Sequence, residues 1–433
     1  MSSLTTVRIQ SLSHDGRGIT SIDGKTTFVS GALPTEEVRC TITKKHSRYM
    51  EAHTTEIITP SSERTQPICR HVGICGGCSM QHMTTTAQIQ FKQHVLLEQL
   101  KHFGQVVPKQ VLPPITGQTS GYRRKARLGV RYVNKKGKLL VGFREKNSRY
   151  LADIEECPVL HASIGTKITA LSELIQSLSQ YEQIPQIETA VGDSITALVF
   201  RHLTDLSSDD ITKLCAFGDA HHFHIYLQPN PPAAIHKIWP EKNSGLLSYT
   251  LPDYQLEMVF HPLDFTQVNH ETNSLLIQRA LQLLEPSPDD HVLDLFCGLG
   301  NFTLPIARYA KSVIGVEGSQ EMVERAEHNA KHNGITNAQF YMANLMETSI
   351  QTPWFQSVDK IVLDPPRAGA KEIISLFSKR YARRIVYVSC NPATLARDAG
   401  SLVYTHHYQL KQVGVMNMFP HTNHIEAIAL FEK

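Results

Sequence analysis

A chain of 433 residues, 41% hydrophobic and 19% charged, is long enough for two or three domains with cores of their own. No apolar run approaches a membrane span, Met1–Arg8 lacks the regions of a secretory leader, and the expected setting is the cytosol. The net charge of +3 says little about partners, and eight cysteines in such a compartment are not read as a disulfide framework. Residues 1–59 alternate apolar and polar side chains in short runs, Val7–Leu12, Thr26–Val29 and Glu37–Lys44, broken by Asp15-Gly16, Asp23-Gly24 and Gly31–Pro34. This predicts five short strands in an OB-like barrel, a fold that often binds oligonucleotides. Lys44, Lys45 and Arg48 cluster beside Tyr49. A polar linker, Thr59–Pro67, leads into Cys69, Cys75 and Cys78, and Ala87–His102 reads as an amphipathic helix with Ile89, Val95, Leu96 and Leu100 on its apolar side.

Residues 121–257 read as mixed α+β. Basic hairpins come first, with a turn at Asn134–Gly137, followed by a helix near Ile164–Leu178 and strands at Ser194–Phe200 and His224–Leu227. Between Ser120 and Arg149 there are eleven Lys or Arg residues against one acid, Glu145. Arg123, Arg124, Lys125, Arg127 and Arg131 alternate with apolar residues, a strip suited either to a solvated sheet face or to a phosphate backbone. From about Asn273 strands and helices alternate. Strands are expected at His291–Leu295, Ser312–Glu317, Lys360–Asp364 and Arg384–Ser389, with a helix at Gln320–His332, the signature of a doubly wound α/β domain. The expected division is 1–59, 60–262 and 263–433.

Asp294-Leu-Phe-Cys-Gly-Leu-Gly-Asn301 follows a strand and opens a helix. It lacks the three glycines that seat a pyrophosphate, and its shorter loop suits S-adenosylmethionine, which has no phosphate. Glu317 ends the next strand, where a carboxylate can accept ribose hydroxyls or cap a helix. Asp364 ends another strand, in a turn stiffened by Pro365 and Pro366. Cys390 ends a fourth, before Asn391-Pro392. A thiol facing a methyl donor points to a carbon too inert to attack alone, and pyrimidine C5 fits best. Thiolate addition at C6 makes C5 nucleophilic, and a base then removes the C5 proton. Glu426, opening the last apolar strand, is the candidate base, and the thiol pKa is expected to be lowered by its surroundings. His421, His424 and Glu426 also suit hydrogen bonding or, less well by their spacing, a metal. The thiols of Cys69, Cys75, Cys78 and Cys157 suit zinc or an iron–sulfur cluster. Cys40, Cys215 and Cys297 read as small apolar residues.

Phe265–Asn269, Asp294–Asn301, Val316-Glu317, Asp364–Arg367, Ser389–Pro392 and His424–Glu426 together resemble the uracil-5 RNA methyltransferases. That resemblance implies a cofactor site for S-adenosyl-L-methionine lined by Gln267, Phe296, Asn301, Glu317, Asn344 and Asp364, with Cys390 as nucleophile and Glu426 as proton acceptor. The N-terminal barrel resembles a TRAM domain. Cys69, Cys75, Cys78 and Cys157 resemble the 4Fe-4S site of the branch acting on 23S rRNA. The implied partner is a flipped-out uridine in an rRNA loop, met by a monomer. The alternatives are tRNA uridine-54 methylation, an iron–sulfur redox enzyme and a non-catalytic iron–sulfur RNA-binding factor.

Overall fold

The computed structural model describes residues 4–229, 235–242, 245–347, 353–355, 358–377 and 382–433. The first three residues of the expected barrel lie outside this set. Strands β1 (Leu4–Arg8), β2 (Ser11–Leu12), β3 (Gly18–Ile22), β4 (Lys25–Ser30), β5 (Glu37–Lys45) and β6 (Tyr49–Thr59) form one sheet in the order β1-β5-β6-β4-β3-β2. Alternation drives this barrel. Val29, Val38, Cys40, Met50 and Ala52 are buried, while Lys44, Lys45 and Arg48 stay exposed. The strand beyond the expected five is the two-residue β2, too short to leave a periodic trace in the sequence.

Helix α1 (Thr85–Gln99) is capped by Thr84 and continues into a π-turn at Leu100–Gly104. It lies within the span read as the middle unit, yet it packs on the C-terminal domain. Leu96 and Leu100 join the same core as Leu395 and Val413, and Gly104 is so close to the Pro392–Tyr404 helix that a Cβ would stand 2.5 Å from the Ala396 carbonyl. Strand β7 (Gln110–Val111) then pairs at the edge of the C-terminal sheet. The helix is also buried more widely than an amphipathic stripe: Gln88 and Lys92 are both 0% exposed.

The middle sheet contains β8 (Lys125–Val133), β9 (Lys138–Gly142), β10 (Gln186–Val191), β11 (Thr196–Arg201), β12 (Phe223–Gln228) and β13 (His236–Trp239), ordered β13-β12-β11-β10-β8-β9. Helices α2 (Ala162–Gly165), α3 (Ile168–Gln176) and α4 (Ser208–His221) accompany it, so the single helix expected over 164–178 is broken near Thr166 and Lys167. A hairpin of β14 (Leu247–Leu251) and β15 (Leu256–Phe260) leads to the last domain.

That domain runs α5 (His270–Leu284), β16 (His291–Leu295), α6 (Thr303–Ala307), β17 (Ser312–Glu317), α7 (Gln320–His332), β18 (Ala338–Met342), β19 (Lys360–Leu363), α8 (Lys371–Ser375), β20 (Arg384–Ser389), α9 (Pro392–Tyr404), β21 (Gln409–Met416) and β22 (Glu426–Glu432). Its sheet order is β18-β17-β16-β19-β20-β22-β21-β7, doubly wound as expected. The five strands from β18 to β20 are parallel and β22 is antiparallel. The strand order reverses between β16 and β19, and ligands of such sheets bind beyond the carboxyl ends of the strands at that crevice. The start of β22 falls on the same edge because its direction is reversed.

Candidate active site

A cavity of 660 Å³ opens at that edge. Its wall brings together Gln267, Phe296, Asn301, Glu317, Asn344, Asp364, Cys390 and Glu426, all eight residues expected from the sequence. Phe296 turns the chain sharply out of β16 with φ +68°, a left-handed conformation that costs a non-glycine residue about 1 kcal/mol. The turn is stitched down by Phe296 and Cys297 N–H groups donating to the Val316 carbonyl at 2.9 and 3.1 Å. Gly298 (φ +55°) and Gly300 (φ +93°) complete the loop. The Glu317 carboxylate accepts from the Gly298 N–H at 3.0 Å, and from Gly318 and Ser319 at 2.8 and 3.2 Å. It is thereby fixed between the two loops, with acceptor capacity left over. Asn301 exchanges two hydrogen bonds with Asn273, at 2.9 and 3.0 Å, and accepts one from the Tyr249 hydroxyl at 3.0 Å. Asn344 holds its own turn, accepting from the Met346 N–H at 3.1 Å.

Gln267 sits on a loop held by the basic strip. Arg124 N–H donates to the Val268 carbonyl at 2.9 Å, and Lys125 Nζ donates to the Asp264 carbonyl. Part of the strip is therefore wired into the fold. Arg124 pairs with Asp193 at 2.6 Å, Arg127 with Glu188 at 2.8 Å, and Lys136 and Lys138 with Asp153. The strip is thus partly a solvated sheet face and partly paired with carboxylates from elsewhere in the chain, Glu188 on the facing strand β10 and Asp193 and Asp153 in loops. Among the described residues Arg131, Lys135, Lys146 and Arg149 are exposed and form no ion pair.

Strand register explains the meeting of Cys390 and Glu426. The β20–β22 ladder ends on the pair Ser389 and Ala427, so one further step places Cys390 opposite Glu426. Opposed residues of antiparallel strands lie about 5 Å apart. Asn391 caps α9 by accepting from the Ala393 N–H at 3.1 Å, and its amide donates to the Arg367 carbonyl at 3.1 Å. One residue thus holds the thiol loop against the Asp364–Arg367 loop.

Burial dominates the electrostatics. Glu426 is 8% exposed, and burial, together with Asp364, pushes its carboxyl up to about 8, against the pull of Lys92 and Arg367. Burial also raises Asp364 to about 7. The Cys390 thiol goes up to about 11 through burial, with Glu426 and Asp364 adding to it and Arg367 opposing. The expected lowering of this thiol is thus reversed, because the thiol is buried and two carboxyls share its cavity. His424 is drawn down to about 4 by burial and by Arg367, whose Nη2 lies 3.1 Å from its Nδ1. Lys92, unremarked in the sequence, is a buried ammonium lowered to about 7 by burial, with Glu426 opposing. A second cavity of 410 Å³ reaches Cys390 from the other side, between His14 of the barrel and Asn391, Asn423 and His424.

Cys69, Cys75, Cys78 and Cys157 line a separate cavity of 130 Å³. Among the described residues no three His, Cys, Asp or Glu side chains converge as a single-ion site. The four cysteines share the lining of this one cavity, and the Gly77 N–H donates to Cys75 Sγ at 3.4 Å. Cys40 and Cys297 are buried as expected, and Cys215 is half-buried.

The profile of the family described as tRNA (Uracil-5-)-methyltransferase matches residues 84–433, and that of the TRAM domain matches residues 3–55. The 23S rRNA (uracil(1939)-C(5))-methyltransferase RlmD of Hahella chejuensis is 51% identical over 433 residues, 99% of this chain and 97% of that one. Its namesake in Francisella tularensis subsp. novicida is 51% identical over 98% of this chain and 96% of that one. The Pyrococcus abyssi tRNA (uracil-54, C5)-methyltransferase, solved in complex with S-adenosyl-L-homocysteine, shares the fold with a TM-score of 0.76, 23% identity and coverage of 98% and 99%. With four-fifths of its length under one profile and a TRAM domain in front, the chain belongs to the tRNA (Uracil-5-)-methyltransferase family.

Proposed function

We propose that this protein transfers a methyl group from S-adenosyl-L-methionine to C5 of a uridine in 23S rRNA, the one numbered 1939 in the names of its relatives. The observation that carries the reading is the placement of Cys390 opposite Glu426 in the cavity that the Asp294–Asn301 loop also lines. The cofactor supplies an electrophilic methyl on a sulfonium. Gln267, Phe296, Asn301, Glu317, Asn344 and Asp364 hold it. Cys390 Sγ gives its proton to solvent water and bonds as the thiolate to uracil C6, which sends the ring electrons toward C5. C5 takes the methyl group, and the S–CH3 bond breaks. Glu426 accepts the C5 proton, the S–C6 bond breaks, and the thiolate leaves.

The uridine reaches the thiol by leaving its stack. The 410 Å³ cavity beside His14 gives it an approach between barrel and catalytic domain. Phe265, 70% exposed at the cavity mouth, offers a stacking face. Residues 1–59 and most of 60–262 grip RNA and 263–433 carry the chemistry, with the α1–β7 stretch serving the latter. Cys69, Cys75, Cys78 and Cys157 hold a 4Fe-4S cluster: four cysteines lining one cavity, with an amide on a sulfur, match such a ligand set. The protein acts as a monomer in the cytosol, and no helix among the described residues is long and apolar enough to cross a membrane.

The deciding experiment incubates the protein with labelled methyl donor and unmodified 23S rRNA or tRNA, then maps the label. Label at C5 of a single 23S uridine is expected. Label only in tRNA, or on another ring atom, overturns the assignment.

A further inference from the structure

Residues 417–425 form a strap between β21 and β22 that carries Phe419 and His424 into the cavity and delivers Glu426 at its end. The strap is gripped from three sides. From α1, Lys92 Nζ donates to Asn417 Oδ1 and to the Phe419 carbonyl, both at 2.9 Å. One turn earlier, Gln88 Oε1 accepts from the His421 N–H at 2.8 Å, while its amide nitrogen donates to the Met83 carbonyl at 2.8 Å. From the cysteine segment, the Ser79 and Met80 N–H groups both donate to the His421 carbonyl at 2.9 Å, and Ser79 Oγ accepts from the Asn423 N–H at 3.1 Å. Ser79 directly follows Cys78. From the third side, His421 Nε2 pairs with the Thr119 carbonyl at 2.9 Å, and the hydroxyl of Tyr122, a wall residue of the cysteine cavity, donates to the Pro420 carbonyl at 3.1 Å.

His421 is the hub. It is 5% exposed and holds a left-handed φ of +66°, a conformation that surrounding bonds must impose on a non-glycine residue. Gln88 and Lys92 are four residues apart on one helix face, fully buried, with Gln88 Oε1 and Lys92 Nζ spent on the strap. Burying an amide and an ammonium in a helix–sheet interface is costly unless they are bonded, and apolar residues would serve packing alone better.

We propose that the Cys78–Met80 segment, Gln88 and Lys92 clamp the 417–425 strap, so that a filled four-cysteine site sets where His424 and Glu426 stand. The proposal rests on the four-cysteine reading above. It makes Gln88, Lys92 and His421 positioning residues, and it gives the cluster a task in the geometry of proton removal with no electron transfer.

The test uses the full-length protein, reconstituted anaerobically with iron and sulfide, and the same preparation after chelation of its iron. Iron content and visible absorbance are read alongside hydrogen–deuterium exchange of the 417–425 amides. Loss of iron should raise exchange in the strap, with β16 and β19 unchanged. Gln88→Met and Lys92→Met should keep their iron and their affinity for S-adenosylhomocysteine. They should loosen the strap and lower the rate of product release from the RNA adduct by about a hundredfold, the effect of an ångström's misplacement, with KM little changed. Gln88→Glu, which keeps the acceptor for the His421 N–H, should restore part of that rate. A protein that takes up no iron overturns the four-cysteine reading and this proposal with it. A protein whose iron comes and goes without altering strap exchange leaves that reading standing and overturns the clamp. A Gln88→Met variant that folds, binds cofactor and turns over normally overturns it as well.

Discussion

Cys390 and Glu426 must both be anionic when they act, yet burial holds both in their protonated forms, the thiol up to about 11 and the carboxyl up to about 8. The sign follows directly. A raised acid binds its proton more tightly, so activity is withheld at low pH and gained as pH rises. Release of free methylated RNA should therefore increase through about pH 8, where Glu426 ionises, while single-turnover methyl transfer keeps rising toward about pH 11 with Cys390, and a release rate that peaks in mildly acid solution would contradict the pairing. Cys390→Ala removes the bond to C6 and should abolish transfer, while cofactor affinity, measured by calorimetry, stays within about twofold because the six cofactor-wall residues are untouched. Glu426→Gln keeps shape and packing but accepts no proton. Methylated RNA should then remain attached to Cys390, visible as a band of retarded mobility on denaturing gels. Free methylated product from this variant at the normal rate would remove Glu426 from its role. The proximity of these two residues was not legible in the sequence, because it comes from the antiparallel entry of β22 beside β20. The same holds for the thiol's raised pKa, which comes from burial in the folded cavity, with Glu426 and Asp364 adding to it from distant positions in the chain.

Elements with strong periodicity were read correctly: β16, β17 and β20 begin and end where their apolar runs do, and α7 spans Gln320–His332 as expected. Helix α1 reads as amphipathic from Ile89, Val95, Leu96 and Leu100, yet the polar Gln88 and Lys92 also lie inside. A polar residue that bonds a strap from the far end of the chain is indistinguishable, in one dimension, from one that faces water. Short elements carry consequences that pattern does not reveal. Helix α2 spans only four residues, but its Gly165 packs so tightly on the Cys157 carbonyl that no Cβ fits, and the Cys157 N–H donates to the Gly165 carbonyl at 2.9 Å. Gly165→Ala should push Cys157 outward. Overpacking of this kind costs about 1–3 kcal/mol, so the melting temperature should fall. Iron retained per protein should fall with it, whereas an unchanged iron content would separate Gly165 from the cysteine site.

At the scale of the whole molecule, charge is distributed otherwise than the sequence suggests. Within the densest basic stretch Arg124 and Lys125 hold the middle sheet and the Gln267 loop and Arg127, Lys136 and Lys138 are ion-paired, whereas Arg131, Lys135, Lys146 and Arg149 stand exposed, as do the three barrel cations Lys44, Lys45 and Arg48. Replacing these three with Ala should weaken rRNA binding and flatten its salt dependence, the slope of log K against log salt falling by about two. Cofactor affinity should not move. An unchanged slope would place the RNA elsewhere. The three-part architecture was legible because each part has its own texture. The attachment of α1 and β7 to the C-terminal sheet was not, since it joins residues roughly 300 positions apart. That sheet places β22 between β20 and β21, with β7 beyond them. During synthesis, β7 and the buried face of α1 leave the ribosome long before residues 426–432 exist. The parallel strands likewise wait with an open flank for the segment that inserts beside them. The nascent catalytic unit therefore closes in a single late event, and a ribosome stalled before Glu426 would hold a chain whose donor loop has been made but whose chemistry has nowhere to assemble.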